Sequence, residues 1–138
     1  MLQLNHLRHA LIALGLIALA LAGLACQPEA LDYSVDDLPP GDAARGATLF
    51  DASIDGAPAC AGCHAIGGRA KSGPSLDGYA AIAGERVDDQ DAVTYTFDSI
   101  LQPAKHITRG YSNVMPGDYA DKLSQQQVAD LIAYLLTL

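Results

Sequence analysis

The chain has 138 residues and carries 16 carboxylates against 8 lysines and arginines, a formal net charge of −8. With no basic cluster anywhere, that balance excludes a nucleic-acid partner and argues against electrostatic attraction to an anionic membrane surface. The length allows one domain plus an accessory segment.

The accessory segment comes first. His6, Arg8 and His9 make a weakly positive start, an unbroken apolar run follows from Ala10 to Ala25, and the first carboxylate is Glu29. A run of that length ending in small residues reads as a secretory signal over 1–25. An uncleaved N-terminal anchor, or a cut elsewhere such as after Ala22, is the alternative. Cys26 directly follows the run, and its position resembles that of the lipid-modified cysteine of bacterial lipoproteins, with Ala25 as the small residue before the cut. That resemblance implies an exported chain, lipid-anchored at Cys26 to the outer, periplasmic or extracytoplasmic face of a bacterial membrane; a free thiol is the alternative. Residues 26–40 hold Pro28, Pro39 and Pro40 among Glu29, Asp32, Asp36 and Asp37. They show no helical or strand period and read as an extended, solvated tether.

The folded domain is expected over 41–138. Asp42 caps a first helix to about Asp51, with Ala43, Ala47 and Phe50 on one stripe. Gly46 in its middle weakens the helix and so marks a close backbone approach. A Gly-rich loop runs from Gly67 to Gly78, followed by a short helical stretch near Tyr79 to Ala83. Asp91 caps a further helix with Val93, Phe97, Ile100 and Leu101 at helical spacing, stopped by Pro103. Ser124 and Gln127 form a capping box for the last helix, whose apolar face is Val128, Leu131, Ile132 and Leu135. No useful strand alternation exists, so the fold class is all-α.

Between the first helix and the Gly-rich loop stands Cys60-Ala61-Gly62-Cys63-His64. Two cysteines spaced C-x-x-C with a histidine directly after are the signature of covalent haem attachment. Each thiol adds to one vinyl group on the same porphyrin edge, and His64 becomes the proximal iron ligand. A thioredoxin-like redox pair needs a βαβ context that is missing, and a zinc site needs more cysteine and histidine than the chain offers. A small, loop-rich domain has little core of its own, so haem supplies the missing apolar surface and its loss should unfold the chain.

The second axial position decides between electron transfer and ligand chemistry. Met115 is the only methionine besides Met1. Pro116 directly after it holds it out of helical geometry, in a loop where a ligand would be presented. His106 is the competitor, but its neighbours Lys105, Thr108 and Arg109 read it as an exposed loop histidine. His64 and Met115 together leave no open iron position, and a thioether raises the reduction potential relative to a second imidazole.

With these residues in view, 41–138 resembles a class I cytochrome c. Gly41-Asp42 with Gly46 and Phe50 is similar to that family's N-terminal helix, Cys60, Cys63 and His64 to its attachment site, and Asp130 to Leu135 to its C-terminal helix. Gly73-Pro74-Ser75-Leu76 resembles the loop whose proline carbonyl accepts a hydrogen bond from the proximal histidine. The resemblance implies one covalent haem c, N- and C-terminal helices crossing at Gly46 with Phe50, Leu131 and Tyr134 around the contact, and Leu76 walling the haem. It also offers Arg86, Tyr79 and Tyr111 as partners of the haem propionates; for the tyrosines, ordinary core or rim positions are the alternative. The stretch from Asp51 to Ala59 is longer than in the short soluble carriers.

The implied function is an electron carrier, not an enzyme: a membrane-tethered monohaem cytochrome working between a quinol-oxidising respiratory complex and a terminal oxidase or similar acceptor, with no small-molecule substrate. A fixed haem subunit of a larger respiratory complex fits as well. The alternative class is a haem peroxidase or a gas-binding cytochrome with an open axial site. Arg69, Lys71, Lys105 and Arg109 are expected to flank the haem edge and dock an acidic partner, or else to be solvated charges.

Overall fold

A computed structural model of the chain describes residues 31–138. The chain divides into two units, Met1–Asp32 and Tyr33–Leu138. The expected signal over 1–25 and Cys26 lie outside the described residues. Among the described residues there are six α-helices, in order: α1 Ala43–Phe50, α2 Cys60–Cys63, α3 Tyr79–Ile82, α4 Ala92–Leu101, α5 Tyr119–Lys122 and α6 Gln125–Leu135. Two 3-10 turns, Val35–Asp37 and Ala83–Glu85, complete the set. Among the described residues there is no strand, only one isolated bridge between Ile54 and Ala57, and the all-α expectation holds. No described helix is long and apolar enough to cross a membrane.

The expected caps form. The Asp42 carboxylate accepts from the Ala44 and Arg45 amides at 2.9 and 3.0 Å, and Asp91 accepts from the Thr94 amide at 2.7 Å. Ser124 and Gln127 close their capping box, the Ser124 amide reaching Gln127 Oε1 at 2.9 Å. Each cap satisfies donors that have no partner inside the helix.

Helices α1 and α6 cross where side chains vanish. A Cβ added to Gly46 would stand 2.0 Å from the Asp130 carbonyl oxygen and 2.7 Å from Tyr134 Cβ, so only glycine fits. Phe50 meets Tyr134 edge-on with ring centroids 5.7 Å apart, and Leu131 is buried beside them. The crossing is as the resemblance implied.

A carboxylate fixes the angle. Asp130 is buried and accepts from Arg45 Nε at 2.7 Å and Nη2 at 2.8 Å, from the Asp42 amide at 2.8 Å and from Gln126 Nε2 at 2.9 Å. A two-pronged guanidinium contact of this kind sets orientation as well as energy. The Arg45 hydrogen bonds hold the Asp130 carboxyl down at about 2. At the far end, the Ala80 amide donates to the Leu138 carbonyl at 2.9 Å and ties the last residue to α3.

Two expectations need correction. Val93 belongs to the solvent face of α4 and is 41% exposed; the buried face carries Tyr95, Thr96, Phe97, Asp98, Ile100 and Leu101. The helix turns a threonine and an aspartate inward because each has partners there, and hydropathy alone does not see hydrogen bonds. The segment before Gly41 is also less extended than its composition suggests. Ser34 donates through its amide and hydroxyl to the Asp37 carboxylate at 2.8 and 2.7 Å, closing a turn. Tyr33 packs edge-on against Phe97 at 5.7 Å, and Gln126 Nε2 reaches the Pro40 carbonyl at 3.0 Å.

Candidate functional site

An open cavity of about 1210 Å³, its solvent-facing mouth included, lies between α2, α4, the loop after His64 and the connection from Gln102 to Asp118. Cys60, Cys63, His64, Pro74, Leu76, Tyr79, Arg86, Tyr111 and Met115, the residues expected at the site, all line it. Chemistry spread over more than fifty positions of sequence converges on one wall set.

The attachment motif is a single helical turn. Helix α2 spans the two cysteines, and the His64 amide donates to the Cys60 carbonyl at 2.9 Å. One turn puts both thiols on the same side, as two vinyl groups on one porphyrin edge require. Cys60 and Cys63 form no disulfide, and burial pushes the Cys60 thiol up.

The imidazole of His64 is aimed by the loop after it. His64 Nδ1 lies 2.9 Å from the Pro74 carbonyl oxygen. A carbonyl only accepts, so Nδ1 carries the hydrogen and Nε2 keeps its lone pair for a metal. The loop is held by two rungs: the Gly73 amide donates to the Cys63 carbonyl at 2.9 Å, and the Leu76 amide to the Ala65 carbonyl at 2.8 Å. A Cβ at Gly73 would come within 2.6 Å of His64 Cε1; the ring lies flat against bare backbone.

The walls are mainly apolar, from Phe50, Leu76, Ile100 and Leu135 among others. Thiols at one edge, a directed imidazole, a thioether and a broad apolar slot are the donor set and shape that a covalently bound haem needs. The residues fit the group.

Several expectations shift in detail. The Tyr79 hydroxyl lies 2.8 Å from Thr96 Oγ1, whose own hydrogen goes to the Ala92 carbonyl at 2.6 Å. Tyr79 therefore donates to Thr96 inside the fold, and burial raises its phenol to about 12. Its hydroxyl is a core anchor and is not free for a propionate. His106 is not an exposed loop histidine: it is half-buried, lines the cavity and stands edge-on to Tyr95 with centroids 5.6 Å apart. A helix stop at Pro103 turns the chain back over the cavity, so its polar neighbours misstate its setting. Lys105 is engaged with Asp98 at 2.6 Å, and the Lys71 ammonium donates to the Ala61 carbonyl. Of the four cations expected around the haem edge, two already have partners within the fold.

Tyr119 was not singled out by the sequence. Its hydroxyl donates to the Pro58 carbonyl at 2.8 Å, and burial raises it to about 12. It thereby ties α5 to the residues leading into the attachment motif. Between Phe50 and Pro58 the longer stretch folds as a tight turn at Asp55 and Gly56, with Ile54 and Ala57 exchanging hydrogen bonds at 3.2 and 2.7 Å.

Comparison with known proteins agrees with this geometry. The family model described as cytochrome c matches residues 43–138. A curated relative, cytochrome c of Ulva intestinalis, is 31% identical over 117 residues, covering 72% of this chain and 92% of the relative. With the match spanning both crossing helices, the attachment motif and the Met115 connection, the chain belongs to the cytochrome c family.

Proposed function

We propose that this protein is a monohaem electron carrier whose iron is held by His64 on one side and Met115 on the other. Membership of the cytochrome c family supports electron transfer and a covalent haem c. The observation that carries the finer reading is the joint presence of a directed imidazole and the domain's one thioether on the walls of a single cavity.

Bound haem supplies a one-electron iron couple. The chain does the rest. Cys60 and Cys63 would hold the haem covalently by thioethers. The Pro74 carbonyl keeps the His64 hydrogen on Nδ1 and raises the basicity of Nε2. Met115, stiffened by Pro116, would supply the second iron ligand and keep water from the metal. Arg86 and Tyr111 line the cavity and would donate to the propionates.

The carrier works outside the cytoplasm, exported by the segment 1–25 and lipid-anchored at Cys26 to the outer face of a bacterial membrane. Its electrons come from a quinol-oxidising respiratory complex and pass to a terminal oxidase or similar acceptor, whether it moves between them or sits as the haem subunit of a larger assembly. This part rests on the sequence features of the N-terminal segment and on the closed iron site.

Two measurements test the proposal. The oxidised holoprotein should show the weak near-infrared sulfur-to-iron band, absent in Met115→Ala. Ready cyanide binding by the oxidised wild type would instead favour a peroxidase or gas-binding cytochrome. Labelled fatty acid should enter the full-length chain and not the Cys26→Ser variant; incorporation in neither removes the anchor from the reading.

A further inference from the structure

We propose that residues 33–40 are a strap belonging to the folded domain, which keeps Tyr33 within about 25 Å of the lipid-bearing Cys26 and so fits the carrier to a redox partner embedded in the same membrane. The proposal rests on the reading of Cys26 as the anchor. Three observations carry it.

The first is that the strap is fastened at both ends and folded between them. At its start, Tyr33 stands edge-on to Phe97 of α4 with centroids 5.7 Å apart. At its end, Gln126 Nε2 of α6 donates to the Pro40 carbonyl at 3.0 Å. Between them, the Asp37 and Leu38 amides donate to the Ser34 and Val35 carbonyls at 3.2 and 3.3 Å. The Asp37 carboxylate accepts in return from the Ser34 amide and hydroxyl.

The second is the Tyr33 hydroxyl, which is buried and has no hydrogen-bond partner among the described residues. Burying a hydroxyl unpaired is unfavourable. What holds Tyr33 in place is therefore its ring, whose contact with Phe97 outweighs that cost. A solvated linker would leave both ring and hydroxyl in water.

The third is the side on which the strap lies. Helix α4 gives Thr96, Ser99 and Ile100 to the cavity, whereas Phe97, which receives Tyr33, is not part of the cavity lining. No residue of 33–40 lines the cavity either. The strap thus leaves the mouth clear for a partner. It also precedes the region matched by the family model, which begins at residue 43, so its release should spare the fold.

The consequence is reach. Cys26 and Tyr33 are seven positions apart, a length that extends to at most about 25 Å. A tether loose as far as Gly41 would extend to about 50 Å. The strap halves that distance. A partner whose electron port stands low over the lipid surface then meets the domain at high effective concentration, and a port beyond the tether's reach is excluded.

The test places the lipidated holoprotein in phosphatidylcholine vesicles that carry a fluorescent headgroup, whose emission haem quenches by short-range energy transfer. An insertion of about eight Gly and Ser residues after Asp32, the length of the strap, sets the weaker quenching of a long tether. Tyr33→Ser combined with Asp37→Ala should fall toward that value. Tyr33→Phe, which keeps the ring and removes the unpaired hydroxyl, should quench like wild type. Wild-type quenching by the released variant overturns the proposal, as does a wild type that already matches the insertion. A second measurement does not need the anchor: in the Cys26→Ser holoprotein, the Asp37 and Leu38 amides should exchange hydrogen slowly, and fast exchange refutes the strap. Slow exchange in a Cys26→Ser protein that binds vesicles as well as wild type removes the anchor, and with it the limit on reach, while the strap stands.

Discussion

The helix crossing and the Met115 connection are built on opposite plans. At the crossing, α1 and α6 touch backbone to backbone, and a buried carboxylate collects four hydrogen bonds from Arg45, Asp42 and Gln126. Polar groups there are satisfied by the protein itself. The connection from Gln102 to Asp118 has no helix, presents half-buried side chains to the cavity, and leaves Ile107 and Val114 45% and 65% exposed. One region supplies a frame that the chain completes alone; the other is shaped for a group the chain must acquire. Stability and ligation should therefore be separable by mutation.

The largest effect is expected at the frame. Gly46→Val drives a side chain into the Asp130 carbonyl and should cost at least about 3 kcal/mol, read as a lowered guanidinium midpoint of the holoprotein by far-ultraviolet circular dichroism. If the variant unfolds like wild type, the helices are not in backbone contact. Asp130→Asn comes next, at about 2 kcal/mol, because it removes the charge that Arg45 and the Asp42 amide address. Its pH dependence has a definite sign. The folded carboxyl sits at about 2, below its ordinary value, so its contribution is present above the ordinary carboxylate range and fades as pH falls toward 2. Thermal melts of wild type and Asp130→Asn should differ at pH 6 and converge in strong acid; a gap that persists in acid assigns the effect to packing.

Cavity substitutions should report on the iron more than on the frame. Gly73→Ala places a methyl group against the His64 ring. It should shift the reduction potential and the ligand-field spectrum, with a stability cost of about 1 kcal/mol, at the low end for an overpacked site. A change in stability with unaltered spectra would show that the loop serves the fold and does not aim the ring. The smallest effect belongs to Val93→Ser. On the solvent face of α4 it should stay within about 0.5 kcal/mol of wild type, whereas a true core valine would cost far more.

Legibility followed the range of the interaction. Caps at Asp42, Asp91 and Ser124 were readable because donor and acceptor lie within a few residues of each other. The turn at Ser34 and Asp37 was equally local, yet proline and carboxylate composition hid it. Asp130 and Tyr119 were missed as anchors. Their partners, Arg45 and Pro58, lie far away along the chain, and nothing in either residue's neighbourhood signals the pairing. The same holds for His106, whose setting depends on where α4 stops and how the chain returns.

The amino-acid sequence alone determined the attachment chemistry, the helical class and the two candidate iron ligands, since these depend on residue type, spacing and hydropathic period. Only the tertiary structure decided which hydroxyls are spent inside the fold, which cations already have partners, and that a second imidazole borders the same cavity as Met115. Covalent reach and helical period act over a few residues; satisfaction of buried polar groups is a property of the whole packed chain.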